Sequence, residues 1–368
     1  MDHAGRLDRF RRMTDAEGLD GYWVVDAANV RYLCGFSGHD STLVVSGSEC
    51  VLITDSRYAE QAEHEVCADR VINRRRPMVA ELGAVCAAAG IRRLGITASN
   101  VSHAQYEAAV AACEPTAVVS RSDGPAERMR LCKDADEVEA VRAALAVAEE
   151  SFQALLNRVE PGGPERALAA RLDYEMRLRG AEGPAFETIC AAGPRASMPH
   201  ATSSAAPVPP DSAVLFDWGA RLDGYCSDLT RVVGTGRIPD GLHALVEVVL
   251  EAQEAVFQCL KPGSRCGDVD AAGRAVIAAA GYGDRFGHGI GHGVGLAVHE
   301  APRLGPDSET VLQPGMIVTV EPGIYLPGQA GVRIEDMVVI TADGHRTLST
   351  LPRRPDALAP PDSAEHRH

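Results

Sequence analysis

The chain has 368 residues, of which 45% are hydrophobic and 24% charged. That composition excludes general disorder and a fibrous protein, and the length suits two compact units. Lys plus Arg number 36 against 51 Asp plus Glu, a net charge of −15. Such a surface repels a phosphate backbone and anionic lipid, so no nucleic acid and no membrane is expected as a partner.

Ten cysteines include no C-x-x-C pair, which predicts reduced thiols in a cytoplasmic protein rather than a disulfide framework or a zinc site. The start, MDHAGRLDRFRRM, puts Leu7, Phe10 and Met13 at helical spacing with no apolar run behind them. It predicts a first helix, not a signal peptide. Strand-like runs follow at Tyr22–Val25, Thr42–Val45, Val51–Thr54, Leu94–Thr97 and Ala117–Val119, with helix-like runs near 5–18, 57–67, 78–89 and 102–112. Residues 1–122 therefore read as a small α/β domain. Turn residues and clustered charge from Arg121 to Lys133 read as a linker with a first contact segment.

The second domain is expected over 130–351. A long amphipathic helix from Asp134 to Asn157 carries acids in its first turn. Pro161-Gly162-Gly163-Pro164 ends it and opens a helix through Met176. Strand patterns at 213–219 and 225–233, helices at 239–260 and 267–280, and strands near 316–321 and 332–340 come next. Blocks of helices and of strands favour an α+β fold with helices backing an antiparallel sheet. Leu242 to Leu260 is the most apolar long stretch, but His243, Glu247, Glu251 and Glu254 prevent it from spanning a bilayer. The polar, Pro-rich residues 352–368 are expected to be a disordered tail.

The chemistry concentrates in this second domain. Ala213–Val233 is two strand runs joined at Asp223-Gly224, a strong hairpin signal. With those residues as the loop, Asp217 faces Thr230, and Asp217 and Asp228 share one face as diagonal neighbours. A lone strand Asp is ordinarily solvent-facing; two acids on one buried face repel unless a cation sits between them. In Gly287–Gly295, GHGIGHGVG, glycines alternate around His288 and His292. No G-x-G-x-x-G can be read there, whereas close backbone approach beneath an imidazole suits a crowded metal site. His299 follows seven residues after His292, and a core histidine is its bland reading. Glu321 ends one apolar strand and Glu335 lies inside another, where carboxylates are rare unless paired or coordinated. Arg333 is the competing partner for Glu335.

H-E-x-x-H, G-x-S-x-G and Walker patterns are absent. Two Asp, two Glu and one His form a hard site suited to Mn²⁺ or a similar divalent ion, and four carboxylates favour two ions over one.

Asp217, Asp228, His292, Glu321 and Glu335 stand in the contexts FDWGA, SDLTR, GHGVG, VEPGIY and GVRIED. In these contexts the set closely resembles the proline-specific metallopeptidases of the pita-bread fold, aminopeptidase P and prolidase. GLDGYWVVDAANVRYLCGFSG resembles their creatinase-type amino-terminal domain. The resemblance implies an Xaa-Pro aminopeptidase acting on small peptides with proline second, through two divalent ions, Mn²⁺ with Co²⁺ or Zn²⁺ as alternatives, and a hydroxide bridging them. It gives Asp217 mainly to one ion and His292 to the other, with Asp228 and Glu335 bridging and Glu321 as ligand and proton shuttle. His200, in SMPHA, matches an active-site histidine near the scissile bond, and His299 matches one that binds the peptide carbonyl. His288 and Arg333 are further substrate or network residues. His39 stands where a loop can reach a partner's site, and a homodimer is implied. Alternatives are a prolidase, another C–N hydrolase or lyase on this fold, and a non-catalytic peptide binder.

Overall fold

The computed structural model describes residues 1–156 and 158–355. The chain forms two compact units, Met1–Arg130 and a second beginning at Leu131. No described helix is long and apolar enough to cross a membrane.

The first unit carries one six-stranded sheet, ordered β4-β3-β2-β1-β5-β6. Its strands are β1 (Gly21–Val24), β2 (Thr42–Ser46), β3 (Cys50–Thr54), β4 (Arg70–Asn73), β5 (Arg93–Thr97) and β6 (Ala117–Arg121). Helices α1 (His3–Ala16), α2 (Ala27–Cys34), α3 (Ala59–Glu65), α4 (Met78–Ala88), α5 (His103–Cys113) and α6 (Pro125–Arg130) complete it. Five of the strands and four of the helices match the sequence expectation. Helix α2 was not expected, although Asp26 caps Asn29 N–H at its start and Gly35 ends it in the left-handed conformation at φ 84°. Edge strand β4 is mostly exposed and lacks apolar alternation. The expected linker needs correcting: six of its residues are α6, with Ala126 and Met129 buried, and the unit runs on to Arg130.

The second unit opens with α7 (Ala135–Leu156) and α8 (Glu165–Leu178). The Asp134 carboxylate accepts from Glu137 N–H, and Glu137 returns the favour to Asp134 N–H, a reciprocal cap at the head of α7. Strands β7 (Gly183–Pro184), β8 (Ile189–Ala192), β9 (Ala213–Trp218), β10 (Ala220–Leu222), β11 (Tyr225–Cys226) and β12 (Leu229–Gly234) follow. Helices α9 (Asp240–Cys259) and α10 (Cys266–Ala279) form the next packed pair. The chain then enters β13 (Gly291–Gly293), β14 (Glu300–Leu304), β15 (Ile317–Val320), β16 (Gly323–Leu326), β17 (Ala330–Arg333), β18 (Asp336–Ile340) and β19 (His345–Thr347). The antiparallel sheets run β12-β9-β8 and β14-β13-β15-β18-β19, with a β16-β17 ribbon and a β11-β10-β7 ribbon. This is the α+β architecture of the pita-bread fold.

Two local features aim the site. Asp223 and Gly224 both have positive φ, 47° and 77°, and the pairing is Leu222 with Tyr225 and Thr230 with Asp217. That two-residue turn sets the parity. Phe216 and Trp218 are fully buried; Phe152 of α7 stacks on Trp218 with ring centroids 4.1 Å apart, and Trp218 Nε1 donates to Ala148 O. Asp217, between them, faces the other way. The second feature is a break at Ile334–Glu335. The expected continuous strand 332–340 is two strands in different sheets, because β17 pairs with β16 while β18 pairs with β15 and β19. At the break Glu335 N–H bonds to Thr230 O, which ties β12 to the two strands that flank it.

The tail expected over 352–368 is tied down where it is described. Arg231 donates to Pro352 O and Leu351 O, and Arg353 pairs with Asp336 at 2.6 Å. Residues 356–368 lie outside the described residues.

Candidate metal centre

Asp217, Asp228, His292, Glu321 and Glu335 all line one cavity of about 630 Å³, together with His200, His288, His299 and Arg333. They arrive from four places: the β9–β12 hairpin, the glycine-rich segment at β13, the end of β15, and the break before β18. The glycines of GHGIGHGVG admit this crowding. A Cβ on Gly291 would lie 2.0 Å from Thr319 O and one on Gly293 2.2 Å from Ala301 O, so only glycine lets β13 sit against both neighbours.

Ligand-type atoms of Asp217, Asp228 and Glu335 cluster within 4.8 Å of one another, and so do those of His292, Glu321 and Glu335. Glu335 belongs to both groups. Asp228 reaches the second as well, with its Oδ2 3.5 Å from His292 Nε2. A third cluster joins Asp228, His292 and His299, whose imidazole centroid lies 4.3 Å from that of His292.

The proton inventory shows what is missing. His292 Nδ1 donates to Gly293 O, 3.0 Å away. The Nε2 lone pair therefore faces Asp228 Oδ2 and Glu321 Oε1, each 3.5 Å away. With the carboxyls ionised, the Thr319 hydroxyl, 3.4 Å from Glu321 Oε1, is the donor the structure gives to these three converging acceptors, and a cation relieves their repulsion. Asp217 Oδ1 is buried with no hydrogen-bond partner. Burial and mutual repulsion push the Asp228 and Glu335 carboxyls well above the usual range, and burial takes Glu321 up to about 7, with Arg333 opposing in each case. Burial holds the His292 imidazole below its ordinary value, which favours the neutral ring that a metal needs. These residues fit divalent metal: hard oxygen donors, one imidazole, an orphaned carboxylate oxygen and excess negative charge.

Arg333 does not neutralise the cluster by pairing with Glu335. It is buried and donates to Asp217 Oδ2 at 2.6 Å, Thr230 Oγ1 at 3.0 Å, Tyr325 OH at 2.8 Å and Pro199 O at 3.3 Å. Tyr325 passes its proton toward His288 Nε2 at 2.9 Å, while His288 Nδ1 donates to Gly289 O. Burial moves Tyr325 up to about 12 and His288 down to about 4, so this chain of bonds keeps Tyr325 protonated and His288 neutral at neutral pH. Both His288 nitrogens are thus engaged by the protein. Thr230 Oγ1 donates to Glu335 Oε2 at 2.8 Å, and Thr319 Oγ1 accepts from His292 N–H at 3.0 Å. Tyr325, Thr230 and Thr319 were not singled out as site residues from the sequence, although Thr230 was placed opposite Asp217. His200 is exposed at the cavity wall. His39 is exposed on the loop between α2 and β2 and is not among the residues lining the cavity.

A stability prediction follows from the raised carboxyls. Their folded-state pKa values exceed the unfolded value of about 4.3 for Glu, so the native state of the metal-stripped protein holds more protons than the unfolded state. The stability these carboxyls contribute should be full below about pH 4 and be lost as pH rises through about 7, where Glu321 titrates. The rise in melting temperature on adding Mn²⁺ should grow over the same window. A metal-induced rise equal at pH 5 and pH 8 would contradict the raised values.

The family model "Metallopeptidase family M24" matches residues 139–342, and the "Creatinase/Prolidase N-terminal domain" model matches residues 6–132. A Bacillus subtilis protein named "Uncharacterized peptidase YqhT" is 38% identical over 348 residues, 95% of this chain and 98% of that one. The solved Xaa-Pro dipeptidase from Bacillus anthracis superposes with a TM-score of 0.91 at 34% identity, covering 96% of this chain and 99% of its own. The X-Pro aminopeptidase from Thermotoga maritima superposes at 0.86, also at 34% identity, covering 93% and 99%. With the carboxylate cluster, the pita-bread sheets and both domain models in agreement, the chain belongs to metallopeptidase family M24 and is an enzyme of the kind with a creatinase/prolidase amino-terminal domain.

Proposed function

We propose that this metallopeptidase removes the amino-terminal residue from peptides with proline second, an Xaa-Pro aminopeptidase using two divalent ions, Mn²⁺ by preference. The observation that carries the reading is the pair of ligand clusters sharing Glu335 in one cavity with His200 and His299. One cluster, Asp217, Asp228 and Glu335, would hold the first ion; His292, Glu321 and Glu335 would hold the second. Bound there, the ions supply Lewis acidity and an activated water.

The side chains do the rest. Glu321, as a ligand carboxylate beside the activated water, would accept its proton and return it to the departing prolyl nitrogen. That nitrogen is a tertiary amide, and it leaves only once protonated. His299 would donate to the developing oxyanion, and His200, on the same cavity's lining, would stand near the scissile bond. Arg333, with Tyr325 and His288 behind it, fixes Asp217 and Thr230 in place.

An Xaa-Pro dipeptidase is the second reading, favoured by the Bacillus anthracis structure of that name. Mn²⁺-reconstituted protein assayed on Arg-Pro-Pro, Gly-Pro and a non-proline dipeptide decides between them. Release of Arg from Arg-Pro-Pro is the expected result. Cleavage of Gly-Pro alone moves the assignment to the dipeptidase, and equal cleavage of the non-proline dipeptide contradicts both.

The protein is further proposed to be cytoplasmic, which its ten free cysteines support, and homodimeric, with the His39 loop approaching the partner. Light scattering with activity across dilution tests the dimer. A monomer fully active at nanomolar concentration would defeat it.

A further inference from the structure

Lysine is almost absent from this chain: of 36 basic residues, all but Lys133 and Lys261 are arginine. Lys133 is also buried. Its side chain is 1% exposed, and its Nζ lies 2.7 Å from Oε1 of Glu300, itself 10% exposed. A pair removed from water in this way is costly unless its geometry is good and its remaining groups are bonded, and here the surroundings are built for it. Lys133 N–H donates to Gly315 O at 2.8 Å, and the next residue, Asp134, begins the reciprocal cap of α7. The ammonium is therefore delivered from a backbone held on both sides.

Glu300 occupies the sensitive end. It pairs with Gly293 across β13 and β14, and its Oε2 accepts from Ala297 N–H at 3.2 Å. A Cβ on Gly295 would lie 2.5 Å from Glu300 Oε1, so the carboxylate is packed against the turn itself. That turn, residues 293–300, leads from His292 to His299 through two glycines. Within it Gly295 N–H bonds to Ala297 O at 3.1 Å, and Gly295 O accepts from Cys226 N–H at 2.7 Å, both on the side before His299. The Glu300 carboxylate bridges its far side, and Lys133 holds the carboxylate by a charge-assisted hydrogen bond.

We infer that Lys133, acting through Glu300, is a positioning residue for His299: the buried pair locks the glycine-rich turn so that the His299 imidazole stands beside His292 on the reacting side of the cavity. The inference rests on the role proposed above for His299. Lys133 touches no substrate and no ligand atom; it acts by placement.

The test is a double-mutant cycle on Mn²⁺-loaded protein with Lys133→Met, Glu300→Gln, His299→Ala and the Lys133→Met/His299→Ala pair. Metal content, melting temperature, kcat and KM are read for each. Each of the first two variants should keep the parent's metal content and a KM within about threefold, while kcat falls by about 10–100-fold, the scale of a misplacement near 1 Å. Lys133→Met should cost nothing further once His299 is alanine. Glu300→Gln, alone and combined with His299→Ala, keeps the shape of the parent and gives the same reading should Lys133→Met melt below the assay temperature.

Fully additive losses, or an unchanged kcat with a lowered melting temperature, would overturn the inference and return Lys133 to a purely structural part. If His299→Ala alone leaves kcat intact, the proposed role of His299 fails and the inference falls with it. A His299→Ala loss with additivity overturns the inference alone.

Discussion

Glu335→Gln should lose metal and turnover together, with kcat down by at least about 10³-fold, beyond the 10–100-fold typical of residues that only orient a ligand. Glu335 is the one carboxylate common to both ligand clusters, and Thr230 Oγ1 already directs its Oε2. The amide keeps an oxygen for Thr230 but removes a charge. Because that charge is buried among Asp217, Asp228 and Glu321, the metal-stripped variant should melt no lower than the stripped parent, and the gain on adding Mn²⁺ should shrink. Asp228→Asn should behave alike, since Asp228 belongs to the first cluster and its Oδ2 lies 3.5 Å from His292 Nε2 of the second. Metal analysis and calorimetry on stripped and loaded samples check both variants. Normal metal content with near-normal turnover in either would remove the residue from the centre.

His299→Ala should leave metal content unchanged and lower kcat by about 10²–10³-fold, the cost of one oxyanion donor. The side chain lines the cavity and its ring lies 4.3 Å from that of His292, close enough to share the reacting face. Burial lowers its pKa, so the ring is neutral at neutral pH and retains one N–H to donate. A core histidine would behave differently: its loss would lower the melting temperature and spare the turnover of the folded fraction. Loss of metal in this variant would instead make His299 a ligand, in keeping with its place in the third cluster beside Asp228 and His292.

The hairpin was the most legible part of the site. Asp223-Gly224 sets the pairing, so the facing of Asp217 on Thr230 follows from counting outward from the turn. Helices α7 to α10 were legible because each has a broad apolar stripe and runs for fourteen residues or more. Several short elements were not. Helix α6 and the β16–β17 ribbon draw their stability from tertiary packing, and a run such as GIYLPGQAGVR carries turn residues that mask two four-residue strands.

Residues that act through others were the least legible. Tyr325 and Lys133 become meaningful only once folding sets Tyr325 between Arg333 and His288, and Lys133 against Glu300. Arg333 shows the limit from the other side. Its neighbour in sequence, Glu335, was its competing partner, yet the chain leaves the β16–β17 ribbon at 334–335 and the guanidinium pairs with Asp217 instead.

Anomalous diffraction from Mn²⁺-loaded crystals, collected at the manganese edge, tests the two-ion centre most directly. Two peaks are expected about 3.5–4 Å apart, one against Asp217, Asp228 and Glu335, the other against His292, Glu321 and Glu335. A single peak at full activity, or peaks away from these five side chains, would contradict the assignment.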